Sequence, residues 1–581
     1  MSHKSPSKRA TAPSAPPAGS VQRRITGAEW MCLAAILGVG GWLRFSHLGL
    51  LEFQSDEAYA ASLALEFVKH GRFPSAGLMS SVGVTNPPLF IYLLIPLFAI
   101  SANPVFVSCG IATLGVSAVA CGWWIGRKYY GTTAGLVTGT LFAVSPWAVI
   151  YSRKIWAQDF VPVLATATMW AVHAVCIGRK PKAIFWCVLL PLCVVQIHFS
   201  GLALTATVLA ILVWLRPRVD WRFAAAGIGV ALVVMVPYLQ LQNRSGWLDF
   251  KQAMNTVGGG QQWEQLQGMT THPVTGYRLP SRQYLSYALA IMNGGRIEDV
   301  LGIAAGPEFD RAQVWQNKEK SEPPYFTDSP PVDSLLLLER LAFVAALLWL
   351  AVEAVRRVRR WKPTDDAGRA AWIVVLWFVV PLGVFAGTRL WTYLTYFVIL
   401  YPVHFLACGW GAEQLIHRLK PVVVSIVVVV LASANLLFLV DYYAFVGKNG
   451  GAQGTFGTAL GIKQQAARFL AERGGERLQA ESDRQLQLMM ARTQAERNQL
   501  ARSLDQPMLL ELNHEGRAEM PQWEWPLLVT QQPPGEGSWP TNLTALLVDG
   551  NREALQPQQW QQLSQYPRTN FGPIRIYFVN R

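Results

Sequence analysis

An all-α polytopic membrane protein with a small C-terminal α/β soluble domain is the class this sequence predicts, on three observations. The 581 residues are 51% hydrophobic and only 15% charged. Apolar stretches of about twenty residues recur along 29–441, the length at which an α-helix crosses the hydrocarbon core of a bilayer. From Tyr442 onward the composition turns charged and Gln-rich, which sets 442–581 apart as a soluble unit. A run such as VVVSIVVVVL (Val422–Leu431) would aggregate in water, whereas in lipid its backbone satisfies itself as a helix. The formal net charge of +14 resides in short Lys/Arg clusters between apolar stretches, as cytoplasmic loops require, so nucleic-acid binding is not expected.

Taken in order, residues 1–28 are basic and rich in Pro, Ser and Ala, and read as a disordered cytoplasmic tail. The apolar stretch from Trp30 carries no clear signal-peptidase site, so a first span at about 29–48 is expected to remain in the protein. Basic clusters then set the count: GRKYYG (Arg127, Lys128), GRKPK (Arg179, Lys180, Lys182), RPRVDWR (Arg216, Arg218, Arg222), RRVRRWK (Arg356 to Lys362) and HRLK (Arg418, Lys420). All five become cytoplasmic if further spans lie at about 104–125, 132–151, 160–177, 183–199, 201–215, 223–241, 334–355, 370–388, 393–412 and 421–441, about eleven in all. A crossing by PPLFIYLLIPLFAI (Pro87–Ile100) would turn every later basic loop outward; this stretch is expected to be a short interfacial helix.

Two outer loops follow, about 49–103 and 242–333, and 442–581 is expected to be a periplasmic C-terminal domain. The second is rich in Gly, Gln and Tyr, too polar for lipid, and is expected to fold back over the membrane face. Within 442–581, Leu486, Met489, Met490, Leu500 and Leu504 make a helical stripe, while ALLVDG (Ala545–Gly550) and IRIYFV (Ile574–Val579) read as strands. The sequon at Asn542 matters only in a eukaryotic secretory pathway. The seven cysteines fall in apolar stretches without metal-ligand spacing and read as packing residues.

The same parity brings polar residues to one boundary. Asp56 and Glu57 follow the first span, Asp159 with Arg153 and Lys154 lies in YSRKIWAQDF, His198 in VVQIHFSG and Arg389 in GTRLWTY, all on the outer side. DEAY (Asp56–Tyr59), NPPLFIYL (Asn86–Leu93), GRKYYG and LFAVSPWAVIYSRKIWAQD (Leu141–Asp159) together resemble the GT-C superfamily of lipid-phosphate-sugar-dependent glycosyltransferases. The branch most similar contains protein O-mannosyltransferases and the aminoarabinose transferase of lipid A. The likeness covers about 29–200 and, more loosely, the later spans, where Arg389–Gly411 is similar to a Tyr/Pro-containing late helix.

The resemblance implies a transfer from a polyprenyl-phosphate-linked sugar, with inversion, to an acceptor on the periplasmic side of a bacterial inner membrane. It implies Asp56 as catalytic base and Asp159 as the acid that completes the site, with Glu57 beside them. Such a reaction also needs cations for the departing phosphate, and Arg153, Lys154 and Arg389 are the candidates. Asn86 stands where members often carry His, and with His198 it is assigned to acceptor contact or site shaping. No cofactor is required by the residues; a divalent metal remains open, with no ligand set named. The acceptor, whether protein, lipid A or another glycolipid, or cell-wall glycan, is not legible.

Each residue also has a plainer reading. Asp56 and Glu57 at a helix start favour its dipole, and Glu57 has Lys69 and Arg72 within reach as ion-pair partners. Arg153 and Lys154 at a boundary snorkel to headgroups, and Arg44 anchors the first span. The competing class is a lipid or sugar transporter, which places ionisable residues near the midplane in repeated halves; no internal repeat is visible.

Overall fold

The structure, a computed structural model, describes residues 24–53, 55–78, 84–258, 281–294, 330–359, 362–363, 365–388, 392–452, 457–469, 543–549 and 567–580. Its body is a helical bundle. Seven described helices are long and apolar enough to cross a membrane: Gly27–Phe45, Pro104–Tyr129, Ala157–Cys176, Trp221–Arg244, Pro330–Arg356, Asp366–Thr388 and Pro421–Asn449. A bent pair, Leu394–Leu400 and Val403–Ile416, meets the same test as one span broken by 47°. Three shorter apolar helices, Thr132–Val144, Pro181–Ile197 and Gly201–Leu215, occupy the remaining places that the basic loops predict. The chain is thus a polytopic, all-α integral membrane protein.

Local chemistry explains where these helices begin. Helix α1 (Gly27–Phe45) opens on a capping box, Thr26 and Glu29 each accepting the other's backbone N–H. The acid pair stands in the first turn of α2 (Ser55–His70), and the stretch expected at the interface forms the 12-residue α3 (Leu89–Ile100). Helix α4 (Pro104–Tyr129) starts with Asn103 as cap and proline in its first turn. Helix α5 (Thr132–Val144) is continued after Ser145 by a five-residue α6 (Pro146–Ile150), so one predicted span is a broken helix.

The two ends of the bundle differ in chemistry. At one end Glu29 meets Arg127 at 3.1 Å and accepts from Thr132 at 3.1 Å. Glu413 accepts from the Ala134 N–H beside Gly131, whose φ of 128° and lack of a side chain leave room for that carboxylate. Arg369 donates to the Cys176 carbonyl, Arg179 faces Asp366, the Asp220 N–H reaches the Pro181 carbonyl, Arg357 pairs with Asp365 and Arg418 lies over Trp349. All five basic loops gather here.

At the other end Arg44, fully buried in the last turn of α1, donates to the carbonyls of Gly40, Ala143, Phe142 and Ala148 at 2.9–3.3 Å. These include carbonyls left over where α5 breaks, so Arg44 anchors the first span by satisfying its neighbour's backbone. The outer segment 242–333 departs from expectation. Helix α7 (Leu248–Gly258) stays at this end, but a following helix, α8 (Ser281–Ala290), and residues 291–294 enter the bundle. Ser145 donates to the Met292 carbonyl at 2.7 Å, Tyr401 to Ile291 at 2.7 Å, and His404 binds Ala288 O at 2.7 Å. Buried polar partners make insertion of this polar-looking segment possible: Asn293 and Asn435 both donate to Glu339, and Arg340 donates to Asn293 and Gly294.

Beyond the last of the long apolar helices, Pro421–Asn449, a short hairpin leads into helical residues 460–469. Strands Leu543–Asp549 and Ile574–Asn580 pair antiparallel, with Arg568–Phe571 on the far side of the second. Both predicted strands are present. Ile574 and Ile576 share a buried cluster with Leu460, Ala466 and Ala467 and with Leu51, Phe53 and the alanines of α2. The stripe at 486–504 and the sequon residue Asn542 lie outside the described residues.

Candidate active site

The stretch LEFQSDEA folds as an extended lead-in followed by the first turn of α2, where unpaired backbone N–H groups favour acids. Asp56 is exposed and Glu57 is 2% exposed, so the pair divides between water and protein. Ala58, Ala60, Ala61 and Ala64 keep the buried side of α2 small enough to lie close to its neighbours. Glu57 does not use Lys69 or Arg72; its Oε1 meets Lys154 Nζ at 3.2 Å, and Arg72 pairs with Glu66.

Lys154 also meets Glu52 Oε2 at 2.6 Å and stands 3.9 Å from the Trp156 ring centroid. Its turn is fixed by Asp159, whose Oδ2 accepts the backbone N–H groups of both Arg153 and Lys154 at 2.9 Å. Asp159 Oδ1 is buried with no hydrogen-bond partner. Burial raises the Glu52 carboxyl to about 7; Lys154 opposes that rise, Glu57 adds to it and Lys463 opposes it. For Lys154, burial works against the ammonium, but Glu52, Glu57 and Asp159 outweigh it and hold the charge well above the ordinary lysine range.

Arg153 is placed differently from a phosphate ligand. Its guanidinium turns into the bundle, donating to Leu43 O at 2.9 Å, Ser46 O at 2.7 Å and the Tyr443 hydroxyl, and it lies over the Tyr443 ring. It caps the carbonyl end of α1. Lys154, expected at the same phosphate, is held by two carboxylates. Arg389 lies outside the described residues, between Thr388 and Thr392.

Asn86 donates to Leu78 O at 3.1 Å and closes the loop through backbone bonds between 77–78 and 86. Next to it, Thr85 is tied to the 242–258 region: its N–H donates to Asp249 and its carbonyl accepts from Tyr238. His198 ends the helix Ile184–Ile197; its Nδ1 accepts the Ser200 N–H at 3.1 Å, which leaves the proton on Nε2, and its ring meets Tyr396 edge-on at 4.4 Å. Asp56, Glu57, Lys154 and Asp159 therefore come together at one end of the bundle; Arg153 serves α1, and Asn86 and His198 serve loop and helix ends. Among the described residues no group of three His, Cys, Asp or Glu is placed to hold a metal ion.

Sequence reasoning missed Glu52 and Lys463. A third acid within six residues was a usable signal for Glu52. Lys463, fully buried, donates to Phe53 O at 2.5 Å, and nothing in its local sequence announces a partner 410 residues away.

No protein-family model and no curated protein sequence matches the chain. Among solved structures, the chain is similar to ArnT from Cupriavidus metallidurans bound to undecaprenyl phosphate, at 12% identity over 95% of this chain and 98% of that one, with a TM-score of 0.49. The apo state of the same protein gives 11% identity over the same shares and a TM-score of 0.44. The archaeal oligosaccharyltransferase AglB from Archaeoglobus fulgidus, in complex with an inhibitory peptide and a dolichol-phosphate, gives 11% identity and a TM-score of 0.42. That match covers 79% of this chain and spans 59% of the archaeal protein's length.

Proposed function

We propose that this chain is a membrane glycosyltransferase that moves a hexosyl or pentosyl group from a polyprenyl-phosphate donor to an acceptor at the outer, periplasmic face of a bacterial inner membrane. The observation that carries the reading is the division of the acid pair. Asp56 faces water at a helix N-terminus, while Glu57, directly beside it, is locked inward by Lys154. A general base must be reachable by its substrate yet held in place, and this geometry does both.

In the proposed step an acceptor hydroxyl loses its proton to Asp56 as its oxygen bonds to the anomeric carbon from the face opposite the phosphate. The bond from that carbon to the phosphate oxygen breaks, its electron pair leaves with the polyprenyl phosphate, and the anomeric configuration inverts. The leaving group is already a stable anion and needs no acid partner. Glu57, Glu52 and Lys154 hold the start of α2, and Asp159 positions the Lys154 turn. Of the expected cations, Arg389 is the one we assign to the departing phosphate. The C-terminal region lies on the periplasmic side in this reading.

The test is transfer by the purified full chain, supplied with labelled polyprenyl-phosphate sugars and protein, glycolipid or glycan acceptors. Asp56→Asn keeps the shape but cannot take the proton, and is expected to lower turnover a hundredfold or more. Turnover near that of the unaltered protein would remove Asp56 as base. A transporter would instead move labelled lipid across a vesicle membrane without covalent change.

A further inference from the structure

The contact between the C-terminal region and the lead-in to α2 has no role in the step just described, yet it is built closely. Residues 51–52 and 459–460 are joined by backbone: Glu52 bridges Ala459 antiparallel, and the Leu460 N–H donates to Leu51 O at 2.7 Å. Gly49 and Gly461 let the chains touch; a Cβ on Gly461 would lie 3.0 Å from Gly49 O. One turn further, Lys463 sends a fully buried ammonium to Phe53 O, three residues before Asp56. A methionine would fill the same volume without the desolvation that a buried charge costs. Keeping a charge there calls for a reason other than packing.

We propose that Lys463 is a positioning residue of the transfer site: through Phe53 and Glu52 the C-terminal region sets where α2 begins and which charges stand beside Asp56. The proposal rests on the transferase reading for its kinetic arm. Lys463 brings a second cation to a cluster in which Glu52 faces Lys154 and Glu57, Lys154 faces Asp159, and the phenols of Tyr151 and Tyr442 stand nearby. A positive charge there favours the carboxylate form of Glu52, the form that grips Lys154.

The experiment compares Lys463→Met with Lys463→Gln in the full chain. Gln can still donate to Phe53 O but carries no charge. For Met we expect kcat at least about tenfold lower, donor and acceptor KM within about twofold, and the acid limb of the pH profile moved to higher pH. For Gln we expect partial recovery of kcat with the acid limb still displaced. Amide hydrogen exchange is the second readout: Met should accelerate exchange across 51–60 while the rest of the bundle is unchanged. An unmoved acid limb in an active variant, or unaltered exchange at 51–60, would overturn the proposal. If the unaltered protein transfers no sugar, the transferase reading fails and the exchange comparison alone decides whether Lys463 holds α2. If Met does not fold, the pH limb and exchange of Gln decide it.

Discussion

Adjacent residues on an α-helix point about 100° apart, and at the start of α2 that angle gives two neighbouring carboxylates different environments. Asp56 and Glu57 were legible because both lie in a short motif at a helix start; which one turns inward was not, because that depends on Lys154, about a hundred residues on. Glu52 had a local signal, a third acid within six residues, but its partner Lys154 is equally remote in sequence. Its environment has a testable consequence. Burial raises its carboxyl from the ordinary 4.5 to about 7, so between those values the folded state keeps a proton that the unfolded chain has lost. Folded binding exceeds unfolded binding there, and stability falls as pH rises through that window, then levels. Glu52→Gln cannot ionise and escapes that loss. Measured in detergent, the unfolding free energy of Glu52→Gln relative to the unaltered protein should therefore rise from pH 5 to pH 8, by at most about 3 kcal/mol. A difference that stays constant across that range would show that Glu52 does not titrate there.

Periodicity and charge located the helices but not the insertion of α8 (Ser281–Ala290). Ser281–Ala290 and the residues after it read as loop because polar and small residues interrupt any apolar run, and the partners that make burial tolerable come from distant helices. Ser145, Tyr401, His404 and Arg340 satisfy its backbone and side chains, an account no local window contains. Arg153 shows the same limit in reverse: a cation at a boundary looked like a ligand for phosphate, and the carbonyls of Leu43 and Ser46 at the end of α1 claim it instead. For the inserted element, Tyr401→Phe leaves the Ile291 carbonyl buried without its donor and should cost about 1–3 kcal/mol. Gly294→Ala places a Cβ 2.6 Å from the Phe438 ring, and should cost a similar amount through overpacking. Thermal unfolding in detergent reads both, and full stability in both variants would mean that residues 291–294 do not sit within the bundle.

At the scale of the whole molecule, the contacts gather the residues that the charge count assigns to one side. Basic clusters, counted along the chain, assign alternate helix ends to the cytoplasm. The contacts then bring those same clusters together at one end, through Glu29 with Arg127, Arg179 with Asp366 and Arg369 with Cys176 O, and bring Asp56, Glu57, Lys154 and Asp159 together at the other. Helix length alone does not reach the count, since Thr132–Val144, Pro181–Ile197 and Gly201–Leu215 are short for a bilayer. A single misread crossing would place acids and basic loops on the same side. We therefore expect that, in a chain whose native cysteines are replaced, Lys69→Cys and Lys251→Cys react with a membrane-impermeant thiol reagent added to intact cells stripped of their outer barrier. Both positions are exposed at the acid end. Lys180→Cys and Arg218→Cys, exposed at the basic end, should react only after the membrane is opened. Labelling of all four from one side would break the alternation, and with it the shared outer face that the proposed transfer requires of Asp56.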